Sequence, residues 1–155
     1  IYTGNHNLMD KIDETPLNAG QLVLSPTRTY APIIQEFLKE WKSSVNGMIH
    51  CSGGAQTKVL HFVNDVHVIK DNLFPTPLLF KTIQEASGTS WEEMYKVFNM
   101  GHRLEVYTNE AAADALIELS KTFGVEAQII GRCESSTSGE VTIKSKHGEF
   151  HYSNS

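Results

Sequence analysis

A glycine-rich segment that follows an apolar stretch is the strongest candidate for chemistry in this sequence. Residues 47–51 are typical of a short strand, Gly53 and Gly54 follow at once, and apolar residues at 59–63 indicate a helix. Glycines let a ligand approach the backbone, and the free amides and dipole at the start of a helix favour an anion such as phosphate. The GxxxxGK[ST] spacing of a Walker A loop is absent. The segment therefore predicts an anion-binding loop of another kind, and an ordinary strand-to-helix turn is the alternative that its spacing leaves open.

Two further segments place polar residues at the ends of predicted elements. Asn99 and Gly101 lie between a helix and a strand, where loops often carry binding sites. Their alternative role is a helix C-cap, with Gly101 in the left-handed conformation. Arg28 lies just ahead of a helix, and its guanidinium is suited to clamp a carboxylate or a phosphate. For Arg28 the alternative is an exposed arginine among capping hydroxyls. For each of these two segments, the spacing does not decide between a binding site and the alternative.

Metal binding and thiol catalysis are not predicted for this chain. Its seven histidines form no HExxH pattern and no paired Cys/His set, and His147 and His151 are too far apart in a predicted strand region. We therefore expect no metal held by the chain's own side chains. His50 and Cys51 are neighbours in a strand, where adjacent side chains point to opposite faces, so they do not form a nucleophile–base pair. Cys51 is expected to be a buried structural residue.

The rest of the sequence alternates between short helices and strands, which predicts an α/β or α+β sandwich. Helical spacing marks residues 33–41, 77–87, 90–98 and 112–123, and strand periodicity marks residues 66–69, 102–107, 125–129 and 141–143. Thr76 is predicted to cap the second of these helices, with Gly88 as its stop. Ser90 and Glu93 fit a capping box. The first 20 residues are rich in turn-forming types and predict an extended lead-in.

Composition and charge exclude several classes of protein. The chain has 155 residues and a formal net charge of −5 without a block of like charge, so we expect no nucleic-acid binding. Its apolar runs fall far short of the ~20 residues that cross a bilayer, so we expect no membrane insertion. Two distant cysteines without CxxC spacing, and no signal-peptide pattern, favour a reduced, cytoplasmic setting. The length suits one domain, and the start at Ile1 suggests a trimmed N-terminus or a piece of a longer chain.

Three motifs, in the order in which they follow one another along the chain, resemble those of a known family. They read LSPTRTY at residues 24–30, HCSGG at residues 50–54 and EMYKVFNMG at residues 93–101. In this order they resemble the C-terminal domain of the aminoimidazole ribonucleotide synthetase (phosphoribosylformylglycinamidine cyclo-ligase) family, over about residues 20–133. Two departures from the family pattern stand out. Ala55 takes the place of a third loop glycine, and His102 with Arg103 replaces small residues.

The resemblance implies a layered α/β/α sandwich with partial ferredoxin-like topology. Residues 1–20 would then be the remnant of a longer chain and residues 21–155 the domain, without the family's N-terminal ATP-binding domain. It also implies an ATP- and Mg²⁺-dependent ligase that cyclises formylglycinamidine ribonucleotide to aminoimidazole ribonucleotide in purine biosynthesis. In the full-length enzyme, a homodimer, the N-terminal domain would be the partner of this chain and the main holder of ATP and Mg²⁺. The fragment alone is expected to be inactive.

The same motifs suggest a site. The substrate-binding set that they indicate comprises Arg28, His50, Ser52, Gly53, Gly54, Asn99 and Gly101. The loop glycines would hold a phosphate-bearing small molecule through their amides, with His50 and Ser52 beside them and the Asn99–Gly101 segment as a facing wall. No residue of this chain is assigned a catalytic role. Two alternatives stay open: another member of the same ATP-dependent superfamily (selenophosphate, thiamine-monophosphate or amidotransferase type), or a non-catalytic module that binds a phosphorylated metabolite.

Overall fold

The structure of the protein is a computed structural model, and it describes residues 4–25 and 28–154. In chain order the elements are α1 (Ala19–Val23), α2 (Ala31–Trp41), β1 (Val45–His50), β2 (Val66–Lys70), α3 (Leu78–Ser87), α4 (Trp91–Val97), β3 (Leu104–Thr108), α5 (Glu110–Thr122), β4 (Gly131–Ser135), β5 (Glu140–Ser145) and β6 (Gly148–Ser153). Two short 3-10 helices, Lys42–Ser44 and Ala55–His61, precede β1 and β2. The mixed α/β architecture predicted from the sequence is confirmed.

The strands divide between two sheets. β1 and β3 form an antiparallel ribbon in which His50 pairs with Leu104. The other sheet has four strands in the order β4-β2-β5-β6, with β2 parallel to β5 and the remaining neighbours antiparallel. Parallel neighbours need a long crossover, and the chain between β2 and β5 includes α3, α4, β3 and α5. This crossover carries residues 99–101 back to the region where the glycine loop follows β1.

The hydrophobic core lies where β1, β2, β5, α4 and the second 3-10 helix meet. Its buried members are Ile49, Cys51, Val59, Leu60, Val68, Met94, Tyr95, Met100, Val141 and Ile143. Along the end of β1 the side chains alternate, so His50 is exposed between buried Ile49 and Cys51. The predicted burial of Cys51 is therefore confirmed, as is the separation of its thiol from the neighbouring imidazole. Among the described residues, no helix combines the length and apolar content needed to cross a membrane.

Several local signals act as the sequence predicts. α2 starts with Pro32 in its first turn and buries Ile33 and Phe37, one helical turn apart. α3 ends at Gly88, whose φ of 67° is left-handed. The hydroxyl of Ser90 accepts a bond from the Glu93 amide at 3.3 Å and so caps α4.

The two predicted N-terminal caps need correction. The Glu93 carboxylate does not complete the capping box within the part of the chain that the structure describes; it lies 3.9 Å from Lys96 Nζ on the same helix. Thr76 does not cap α3, because the helix starts at Leu78 with Pro77 as its cap residue. The Thr76 side chain is buried instead, with its hydroxyl 3.4 Å from Nε2 of His147. The local pattern predicts the Thr76 hydroxyl as a helix cap, but in the structure it makes a tertiary contact instead.

The strand predicted at residues 125–129 is wrong. This segment is irregular, and β4 starts only at Gly131. The loop after β2 fixes this segment through Asn72. The side-chain Nδ2 of Asn72 donates to the Ile129 carbonyl at 2.7 Å, and its backbone amide donates to the Ile130 carbonyl at 3.0 Å. Alternating side chains fit any extended segment, and only a neighbouring strand turns such a segment into β structure.

Two helical segments also differ from the sequence prediction. The last two residues of the predicted lead-in belong to α1, because Asn18 and Gln21 form a reciprocal capping box. The helix predicted after the glycine loop is a 3-10 helix of seven residues, Ala55–His61. A helix this short contributes little dipole, so an anion at the loop depends on individual amides and side chains.

Candidate functional site

The glycine loop presents two backbone amides without a partner. The amides of Ser52 and Ala55 donate to the carbonyls of His50 and Ser52 at 2.8 and 2.9 Å. Within the described ranges, the amides of Gly53 and Gly54 donate to no acceptor. Gly53 is exposed and Gly54 half-buried, so a ligand can approach this part of the loop from solvent.

The loop turns through left-handed backbone conformations at Gly54 and Ala55. Gly54 has a φ of 83°, which glycine adopts without the penalty of a side chain. Ala55 follows with a φ of 42° and is buried, so it takes the place of the family's third glycine in a conformation that glycine would favour. A Cβ added to Gly54 would lie 3.5 Å from Cα and Cβ of Lys58, which leaves little room for a larger residue.

Lys58 adds a positive charge that the sequence prediction did not include. Its Nζ donates to the Ser52 hydroxyl at 2.6 Å, so the ammonium lies beside the loop. A cation held at the residue that precedes two unpaired amides adds to their suitability for an anion. Lys58 follows Gly54 by four residues, about one helical turn, and that spacing is the sequence signal that identifies it.

The predicted Asn99–Gly101 segment lies directly against the loop. Gln56, two residues after Gly54, donates through Nε2 to the Asn99 carbonyl at 2.7 Å. The segment is not the C-cap of α4, which ends at Val97, but a separate turn in which Asn99 Oδ1 accepts the Gly101 amide at 2.9 Å. Gly101 has the left-handed φ expected of it, 95°. The two segments predicted to face each other are therefore in contact.

Arg28 and His50 both line one surface pocket. They line the same cavity of about 440 Å³, with apolar walls from Ile34, Met48 and Leu104. Arg28 donates through Nη1 to the Gly124 carbonyl at 3.0 Å, and a guanidinium has five N–H groups in all. Pro26 and Thr27 of the first motif lie outside the described residues. Since His50 is two residues from Ser52, this pocket adjoins the glycine loop along the chain.

A buried polar network lies beneath the loop, and sequence reasoning missed it. Lys70 Nζ donates to Glu105 Oε1 at 2.6 Å and to the backbone and side-chain oxygens of Gln56 at 2.7 and 3.1 Å. The Tyr107 hydroxyl donates to Glu105 Oε2 at 2.7 Å. Lys70 and Glu105 are only 1% and 5% exposed. The sequence signal for Lys70 is a charged residue at the end of an apolar strand, whereas Glu105 lies within β3.

Burial and the Glu105 charge shift the pKa values of four neighbours, and that of Cys133 is raised by both. Burial, followed by Glu105, raises the pKa of the Cys51 thiol to about 12 and raises that of the Tyr107 phenol. Burial lowers the pKa of His102 to about 4, so its imidazole is neutral and Nε2 accepts the Phe74 amide at 3.2 Å. The family departure at His102 is therefore a buried residue whose imidazole bonds to the backbone of Phe74.

A metal-binding set is not found in the part of the chain that the structure describes. No group of three or more His, Cys, Asp or Glu side chains there is arranged to hold an ion. The loop amides and Lys58 suit an anion instead.

Comparison with known proteins assigns a class and then a family. The fold is similar to that of the crystal structure of E. coli HypE, a hydrogenase maturation protein, with a TM-score of 0.54 at 18% identity, over 83% of this chain and 39% of that one. The profile of the family described as AIR synthase related protein, C-terminal domain, matches residues 5–144, and the chain belongs to this family.

Two curated relatives have the same name, phosphoribosylformylglycinamidine cyclo-ligase. The chain is 34% identical over 130 residues to the phosphoribosylformylglycinamidine cyclo-ligase of Methanococcus vannielii, covering 84% of this chain and 36% of the relative. It is 32% identical over 140 residues to the protein of that name from Methanobrevibacter smithii, covering 90% and 40%. The chain thus spans well under half the length of these relatives.

Proposed function

We propose that this chain is the C-terminal part of an ATP-dependent cyclo-ligase that converts formylglycinamidine ribonucleotide to aminoimidazole ribonucleotide in purine biosynthesis. The family and the names of the relatives support this assignment, and they do not favour the superfamily alternatives or a stand-alone binding module. One structural observation supports a role of this chain in binding the phosphate of the substrate. Among the described residues, the amides of Gly53 and Gly54 have no acceptor, and the Lys58 ammonium bonds to the hydroxyl of Ser52, the residue before them, a combination that suits a phosphate.

In this proposal the chain binds and orients the substrate. ATP supplies the phosphoryl group that turns the amide oxygen of the substrate into a leaving group. A nitrogen of the same molecule then attacks that carbon, the C–N bond forms, and phosphate departs with the oxygen. Because both reacting groups belong to one substrate, most of the rate enhancement comes from holding them in position.

Each candidate residue has a role in that positioning. The Gly53 and Gly54 amides bind the ribose phosphate, and Lys58 neutralises its charge. Arg28 provides a second cation, in the adjoining pocket with His50, for a carbonyl or phosphate oxygen of the substrate. Ser52 orients Lys58 through its hydroxyl, and the Asn99–Gly101 turn supports the loop from the opposite side.

The described residues do not fit an Mg²⁺ site, so no step here is assigned to the metal. We place ATP and Mg²⁺ mainly on an N-terminal domain, in a cytoplasmic homodimer. The relatives are long enough for such a domain, since this chain spans only 36% of the Methanococcus vannielii protein.

The test uses the full-length protein that contains this chain. We expect ADP release when it receives formylglycinamidine ribonucleotide and ATP. Lys58→Ala and Arg28→Ala should each raise the KM for the ribonucleotide by roughly tenfold or more, because a hydrogen bond to a charged group contributes about 1.5–3 kcal/mol. Absence of ADP release by the wild-type protein would overturn the proposed activity.

Matched variants control for loss of charge alone. Lys96→Ala removes an exposed lysine of α4, and Arg132→Ala removes an exposed arginine of β4. Both should leave the KM unchanged. Equal effects in the site variants and the controls would show that net charge, rather than the loop, governs binding.

A further inference from the structure

The Gln56 side chain lies next to the glycine loop and bonds to both the Asn99 turn and the buried ion pair. It is fully buried at 0% exposure. Its Nε2 donates to the Asn99 carbonyl at 2.7 Å, and its Oε1 accepts from Lys70 Nζ at 3.1 Å. Its own backbone oxygen accepts from the same ammonium at 2.7 Å. Both ends of the amide are therefore used, and its orientation is fixed.

The groups behind Gln56 are equally constrained. The Lys70 ammonium has three N–H donors, and they match its three acceptors: two oxygens of Gln56 and one of Glu105. The second Glu105 oxygen accepts from Tyr107. Among the described residues, no buried side-chain polar atom lacks a partner. A fully satisfied buried network has one favourable arrangement, and so it specifies geometry.

Stability alone does not explain such a network. Apolar residues of similar volume often replace a buried ion pair with little loss of stability, because both charges must be desolvated. The position of the network is more informative. It lies between two segments that are 43 residues apart in sequence and that form the proposed phosphate site.

We propose that Gln56 is a positioning residue for the phosphate of the substrate. It fixes the Gly53–Gly54 loop relative to the Asn99–Gly101 turn, and the Lys70–Glu105 pair fixes Gln56. The free amides are thereby held in their binding orientation before the ligand arrives, which reduces the entropy lost on binding. This inference rests on the proposed function, because it assumes that the loop binds a phosphate.

The test is a comparison of two ligands on the full-length protein. Gln56→Glu keeps an oxygen for Lys70 but replaces the donor to the Asn99 carbonyl by a second acceptor. We expect the affinity for formylglycinamidine ribonucleotide, measured by calorimetry, to fall roughly tenfold, the effect of losing one buried hydrogen bond. The affinity for the riboside, which lacks the phosphate, should stay within twofold of wild type. A merely structural role would weaken both ligands alike, and the uncharged variant Tyr107→Phe separates a loss of positioning from repulsion of the phosphate by the new carboxylate.

A milder variant covers the case in which Gln56→Glu fails to fold. Tyr107→Phe removes only the hydroxyl that donates to Glu105. It should lower ribonucleotide affinity about threefold, again without an effect on the riboside. Unchanged ribonucleotide affinity in Tyr107→Phe and in any folded Gln56→Glu protein would overturn the inference.

The two proposals fail in different ways. If wild type binds ribonucleotide and riboside equally and Lys58→Ala has no effect, the loop does not bind the phosphate and the proposed function is wrong for this site. If Lys58→Ala weakens ribonucleotide binding while Gln56→Glu and Tyr107→Phe do not, the loop binds phosphate without help from Gln56.

Discussion

The ammonium of Lys70 lies 2.6 Å from Oε1 of Glu105, and this buried ion pair joins the four-stranded sheet to the two-stranded ribbon. Lys70 is the last residue of β2, and Glu105 is in β3. Because both side chains are almost fully buried, each charge depends on the other for the interactions that water would otherwise supply. Lys70 also bonds to Gln56, two residues after Gly54. The pair therefore links the packing of the two sheets to the position of the glycine loop.

Removal of one member of this pair should destabilise the protein strongly. We expect Lys70→Met to lower the free energy of unfolding by about 3–5 kcal/mol, because it leaves the Glu105 carboxylate buried without its cation. The double variant Lys70→Met/Glu105→Leu should lose less than the sum of the two single variants, since no unpaired charge remains. Urea unfolding followed by circular dichroism measures all three. Strict additivity would contradict the dependence of each charge on the other.

The two loop glycines should respond differently to the same substitution. Gly54→Ala should lower the free energy of unfolding by about 1–2 kcal/mol, because a φ of 83° is unfavourable for a residue with a Cβ. Gly53→Ala is the matched control, since an added Cβ meets no atom within 4 Å there. It should change stability by less than about 0.5 kcal/mol. Thermal unfolding of both variants checks this, and equal losses would argue against the left-handed turn.

Stability should fall in acid because of His102. Its pKa is about 4 in the folded protein against 6.5 for an unperturbed imidazole, so the unfolded chain binds more protons between these values. The contribution is fully present above pH 6.5 and is lost as the pH falls towards 4, by roughly 3 kcal/mol in total. His102→Gln keeps an acceptor for the Phe74 amide and should flatten the stability profile across this range. A wild-type slope that persists in the variant would assign the effect to other groups.

The two cysteines should differ in reactivity. Burial raises the pKa of the Cys51 thiol to about 12, so almost no thiolate is present near neutrality. Partial burial and Glu105 also raise the pKa of Cys133, but its side chain is exposed, so a reagent can reach the sulfur. Iodoacetamide at pH 8 should therefore label the native protein once, at Cys133, and twice after denaturation. Peptide mass spectrometry locates the label, and rapid native labelling of Cys51 would contradict its structural role.

Much of the fold could be predicted because its signals are local. Pro32 at the start of α2, the Ser90 cap of α4 and the left-handed Gly88 each act through neighbours within a few residues. In two of the wrong predictions a distant partner competes with the local signal. Thr76 contacts His147 instead of capping α3, and Asn72 holds residues 125–129 away from any strand.

The sequence by itself determined the family motifs, the glycine loop and the residue types that suit a phosphate. Only the tertiary structure decided that Gln56 bonds to Asn99, which is 43 residues away in sequence. It also decided that Lys58 bonds to Ser52 and that Arg28 and His50 line the same pocket. The reason is physical. Caps and turns arise from interactions between near neighbours, which a sequence displays directly. Buried polar partners are chosen by which chain segments meet when the core closes, and only the folded structure brings those segments together.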